Sequence, residues 1–151
     1  MDRLNGWLSL IANIGVIAGV LFVGFEIQQN TDQMQAEVAQ GIMSSLREQS
    51  NPVRESIEIS EMYYNVVFGG QKPSDPERYQ VTRILPGYFR VYEEAYLHHQ
   101  QGRLEDAYWN ALAEQFGLAL SMPVIIQYWE EESSVGGFNP NFVIFGNSLI
   151  Q

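Results

Sequence analysis

Residues 7–25 read WLSLIANIGVIAGVLFVGF, nineteen consecutive positions without a charge. As a helix rising ~1.5 Å per residue the stretch is ~28 Å long, which matches the hydrocarbon core of a bilayer. Trp7 stands at its start, where an aromatic belt residue sits, and Glu26 followed by QQNTDQ ends it with a sharp polar step. A cleavable signal peptide has a shorter apolar core and a small-x-small site soon after it. No such site follows closely here, so the segment is expected to be retained. The expected organisation is a short tail over residues 1–6, a transmembrane helix over 7–25, and an acidic α-helical domain over 26–151.

Within that span Gly15 and Gly19 form a GxxxG, extended by Ala12. Small residues three and four apart share one helix face and let another backbone come close. Asn13 lies in the same span, where an unpaired amide is costly, so it is expected to bond to a neighbouring helix or a headgroup. Ala12, Asn13, Gly15 and Gly19 are therefore the candidate membrane-helix packing residues, and a membrane protein partner or a homo-oligomer is the expected consequence. Sidedness rests on few charges. Arg3 and the α-amine precede the span, and no Lys or Arg follows it until Arg47. The positive-inside rule then keeps the N-terminus in the cytoplasm and places the domain outside, in the periplasm of a bacterial inner-membrane protein.

The chain carries a formal net charge of −10. Such a charge repels the phosphates of nucleic acids, which are excluded as expected partners. Beyond Arg103 there is no cation at all, while Glu105, Asp106, Glu114 and the run Glu130, Glu131, Glu132 all lie in that third. With no cysteine, disulfides, thiol catalysis and Cys-ligated zinc are excluded.

After the span Ile27, Met34, Val38, Ile42 and Leu46 recur on one helical stripe, so the first helix should continue to about Ser50 as one long rod. Asn51 before Pro52 reads as the start of a second helix, which Gly69 and Gly70 would end. Its apolar positions are Val53, Ile57, Met62, Val66 and Val67. In QKPSDPE, Ser74 with Glu77 makes a capping box that opens a third helix to about Gln101, with Pro86 expected to kink or split it. A fourth helix covers about 105–120, with Trp109, Leu112 and Phe116 inward. A fifth runs from Ser121 to about Glu132, and a sixth from Asn139–Pro140 to about Leu149. No alternating strand pattern is sustained, so the fold class is all-α: a single N-terminal transmembrane helix continuing into an antiparallel helical bundle.

Four motifs carry a resemblance: EIQQNT at 26–31, VYEEAY at 91–96, QGRLEDAYW at 101–109 and FNPNF at 138–142. With the hydrophobic N-terminus they make the chain similar to a family of small uncharacterised bacterial proteins that have an N-terminal membrane helix, a Q-I-R-Q-N-T-like segment and an all-helical domain. The resemblance implies a membrane anchor and a helical fold, and no activity. Gln28 stands where relatives often have arginine, and Gln33 and Gln35 stand in a stretch that is often basic. That arginine would favour a cytoplasmic domain, against the charge count of this chain.

Chemistry-bearing residues are sparse. His98 and His99 are adjacent on a helix, so their rings diverge by ~100° and do not share a metal. Glu94 and His98, four apart, could co-ligate an ion, but the Glu-x-x-His spacing fails at Leu97. Of Glu93 and Glu94, one should turn inward and accept bonds from Arg90 or a tyrosine. The Glu130–Glu132 run ends a helix with charge that its dipole disfavours, which a frayed, solvated end would relieve. No phosphate loop, GxSxG or HExxH is present. The expected function is a non-catalytic membrane-anchored accessory or scaffold subunit, with no cofactor. The alternative is a tethered sensor whose domain holds a small apolar ligand among Tyr88, Tyr92, Trp109 and Trp129. The apolar C-terminus supplies the candidate partner surface, Phe138, Phe142, Val143, Ile144 and Phe145, because one short helix cannot turn all of them to one core.

Overall fold

A continuous helix through an uncharged stretch pairs every interior backbone N–H and C=O within the segment itself, and this is the form residues 7–25 take. In the computed structural model, which describes residues 2–69 and 72–150 (side chains from residue 5), they belong to α1, Asp2–Glu55. The Arg3 side chain, the α-amine, Gly70 and Gln71 lie outside what is described. The described residues form α1 and five further helices: α2 (Ile57–Val67), α3 (Asp75–Gln100), α4 (Asp106–Leu120), α5 (Pro123–Ser134) and α6 (Pro140–Leu149). No strand occurs among them.

The chain divides into two units, residues 1–36 and residues 37–151. The boundary falls beyond Phe25, so the polar segment 26–36 groups with the apolar stretch. In the first unit α1 is long and apolar enough to cross a membrane, with a mean hydropathy of 2.3 over its most apolar window and none of that window buried. Thr31 keeps its hydroxyl within the helix by donating to the Ile27 carbonyl at 2.9 Å.

In the second unit the rest of α1 contributes Ile42 to the core, with Val38, Ala39 and Leu46 packed beside it at helical spacing. Helix α1 does not stop before Pro52 as its sequence suggests. It runs through the proline to Glu55. The break comes at Ser56, whose extended backbone and hydroxyl cap α2 by accepting from the Ile59 N–H at 3.2 Å. Ser56 also donates to Glu58 in the first turn, at 2.8 Å. A side-chain acceptor and a first-turn carboxylate both favour a helix start there. One consequence is that Ile57, expected on the apolar face, is the first helical residue and is exposed.

At α3, Glu77 Oε2 accepts from both the Ser74 backbone N–H (2.8 Å) and its hydroxyl (2.6 Å). The helix continues past Pro86 without being split. Gly102, at φ 69°, turns the chain after it, a conformation that costs a residue with Cβ energy. Asn139 caps α6 by accepting from the Asn141 N–H at 3.0 Å.

These helices surround an aromatic core. Trp129 of α5 is fully buried, with ring centroids of Phe138 at 5.3 Å, Phe116 at 5.4 Å, Phe142 at 5.5 Å and Phe89 at 5.6 Å. Phe138 stacks on it and the other three meet it edge-on, arrangements that ring quadrupoles favour. Its indole N–H donates to Asn147 Oδ1 at 2.9 Å, so the one polar atom carried inward is satisfied.

Candidate functional site

On α1, Ala12, Gly15 and Gly19 lie on one helix face and Asn13 projects ~100° round from Ala12. All four are exposed. A Cβ added to Gly15 or Gly19 meets nothing within 4 Å beyond the helix's own backbone, so this face is open for close approach.

The C-terminal patch divides. Phe142 is 0% exposed and Phe138 is buried beside it, so these two belong to the core and do not form a partner surface. Both rings are spent on Trp129, Phe138 stacked on it and Phe142 edge-on to it, which leaves little of either for docking. Val143 and Phe145 are half-buried and pack against the core, with Phe145 stacked on Tyr96 at 5.5 Å. Ile144, 68% exposed, is the member of the set that faces solvent.

Of the paired glutamates, Glu93 is the buried one and Glu94 the exposed one. Arg90 Nη1 donates to Glu93 Oε2 at 2.7 Å, and the backbone N–H of Asn139 donates to Oε1. The same guanidinium lies 4.7 Å from the Phe138 ring centroid. A buried carboxylate with both oxygens bonded is a structural tie between α3 and the start of α6. It joins two of the motifs quoted above, VYEEAY and FNPNF. The third, QGRLEDAYW, reaches the same place through Trp109, 5.7 Å from Tyr96 and 5.1 Å from Phe145.

The histidines part as their spacing requires. His98 Nε2 lies 3.8 Å from Glu94 Oε1, while His99 Nε2 meets Asp106 Oδ1 at 3.0 Å and its ring stacks on Trp109 at 5.2 Å. Among the described residues no three His, Asp or Glu side chains are grouped to hold a metal ion. Of the four aromatics considered as a ligand cage, Tyr92 stacks on Phe116 at 4.9 Å, Trp109 and Trp129 also pack on other rings, and Tyr88 lies half-buried against the core with its hydroxyl bonded to Ser50.

The Glu130–Glu132 run is not a frayed end. Helix α5 continues to Ser134, and Glu131 Oε1 receives Gln127 Nε2 at 3.0 Å and Arg78 Nη2 of α3 at 3.4 Å. Glu132 bonds to the Tyr128 hydroxyl, and burial together with that carboxylate pushes the Tyr128 phenol up to about 12. Arg78 was not singled out by sequence reasoning. Its one signal is that it directly follows the QKPSDPE turn, one of three cations there with Lys72 and Arg83, opposite an acidic run far along the chain.

Comparison with known proteins finds no match: no family model, no curated protein and no solved structure.

Proposed function

We propose that this chain is a non-catalytic, membrane-anchored accessory or scaffold subunit, single-pass in a bacterial inner membrane. Residues 7–25 are its transmembrane helix and the second unit is an antiparallel helical bundle, placed by the charge count in the periplasm. The observation that supports this reading is the uncharged helical stretch with none of its most apolar window buried within the protein. In water that much apolar surface is a liability, whereas in lipid it is the anchor. The open face of Ala12, Gly15 and Gly19 would seat a partner helix or a second copy, with Asn13 supplying a hydrogen bond at its flank.

The test is native purification in mild detergent after alkaline washing of membranes, followed by mass spectrometry of co-purifying chains. The expected result is retention in the washed membrane together with a stoichiometric partner or a homo-oligomer. Replacing Gly15 and Gly19 together with leucine should reduce complex yield without releasing the chain from the membrane. Extraction by the alkaline wash would defeat the anchor; an unchanged complex in the double variant would defeat the packing face. Sidedness is read separately, with a single cysteine at Ser134. In this otherwise cysteine-free chain a membrane-impermeant maleimide labels it in intact spheroplasts if the domain is periplasmic.

A further inference from the structure

The helical domain has a groove of about 280 Å³ where the end of α2, the first half of α3 and α5 meet. Its floor is apolar: Val66, Val81 and Leu85 are buried beneath it, and Val124 lines one wall. Its rim carries four charges of balanced sign, Lys72 and Arg78 against Asp75 and Glu131. The Arg78–Glu131 pair is loose, 3.4 Å apart with both side chains about half exposed, and Gln127 holds Glu131 independently. Neither charge is sealed off from a further partner.

We propose that this groove binds a small zwitterion with an apolar side chain, the chemistry of an apolar α-amino acid. Such a ligand bears its carboxylate and ammonium on one carbon, adjacent as the Arg78 guanidinium and the Glu131 carboxylate are. Laid across that pair with its charges reversed, it gives its carboxylate to Arg78 and Lys72 and its ammonium to Glu131 and Asp75. Its side chain then covers Val81, Leu85 and Val124, exchanging water for an apolar floor. A fatty carboxylate would answer Lys72 and Arg78 but bring no ammonium for Asp75 and Glu131, and an alkyl amine would answer the two carboxylates but leave the two cations without an anion. The balanced rim therefore selects against either half of the ligand alone.

The full chain in lipid nanodiscs is titrated calorimetrically with L-leucine, with 4-methylpentanoate (no ammonium) and with 3-methylbutylamine (no carboxylate). Saturable leucine binding is expected, with each half-ligand weaker by about tenfold, the scale of one lost charged hydrogen bond. Arg78→Gln and Glu131→Gln should each weaken leucine binding by a similar factor of about ten. Both residues are exposed, so the ligand-free thermal melt should stay near that of the parent chain. No saturable heat with leucine or phenylalanine up to about 10 mM, where even millimolar affinity would register, overturns the proposal. So does a half-ligand that binds as well as leucine, or either variant binding leucine as the parent does. Failure here leaves the membrane anchor untouched, since that is read from extraction and not from binding.

Discussion

Gly146 stands on α6 directly against the indole of Trp129, and a Cβ built there overlaps the Trp129 ring. The ring cannot yield, because its N–H is held by Asn147 and its faces and edges are packed by four phenylalanines. Gly146→Ala should therefore cost about 1–3 kcal/mol through overpacking, read as a lower denaturation midpoint with an unchanged slope. Tyr128 offers a test by pH. Its phenol is pushed up to about 12 by burial and by Glu132, against an unfolded value near 10. The folded state thus keeps a proton that the unfolded state has released, so this contribution is fully present below pH ~10 and is lost as pH rises through ~12. Thermal melts should fall across that window, and Tyr128→Phe should flatten part of the fall. An equally steep fall in Tyr128→Phe would assign it to other groups, Tyr63 foremost, which burial beside Tyr88 and Tyr92 also raises to about 12. Of this residue-level detail, Trp109 was legible as inward from its spacing with Leu112 and Phe116. The Gly146–Trp129 contact was not, because it joins residues seventeen apart on different helices.

Element ends show what competition between local signals looks like. Asn51–Pro52 and Ser56 are two plausible starts for one helix five residues apart, and the chain uses Ser56. Keeping Pro52 inside α1 forfeits a backbone hydrogen bond, whereas Ser56 supplies a side-chain acceptor together with Glu58 in the first turn. Ser56→Ala should lower the stability of the second unit by about 0.5–2 kcal/mol, while Asn51→Ala, no longer at a cap, should change it by a few tenths at most. Equal effects in chemical denaturation would return the helix start to Asn51. The caps at Ser74 and Asn139 had no rival nearby, and both helices begin where the residues place them.

At the scale of the molecule, the C-terminal segment belongs to the core more than to the surface. Removing residues 139–151 deletes Phe142 and the Asn147 acceptor of Trp129, and it strips Glu93 of its Asn139 partner. One deleted buried phenylalanine already costs about 3–5 kcal/mol, a large share of a small domain's stability, so the cooperative melt of the second unit should collapse. Ile144→Asp, at the exposed position, should leave that melt within a few degrees. A preserved melt after truncation would show that α6 is an appendage. What the sequence by itself determined is everything that local periodicity and composition encode: the uncharged span, the helical class, most helix ends, and the inward stripe of α4. These follow from the geometry of one helix, which a single segment reports without its neighbours. Which of two adjacent glutamates is buried, which C-terminal phenylalanines leave the surface, and where Arg78 meets Glu131 were decided only by tertiary structure. Each depends on the direction from which another helix arrives, and no residue's own neighbours in the chain record that direction.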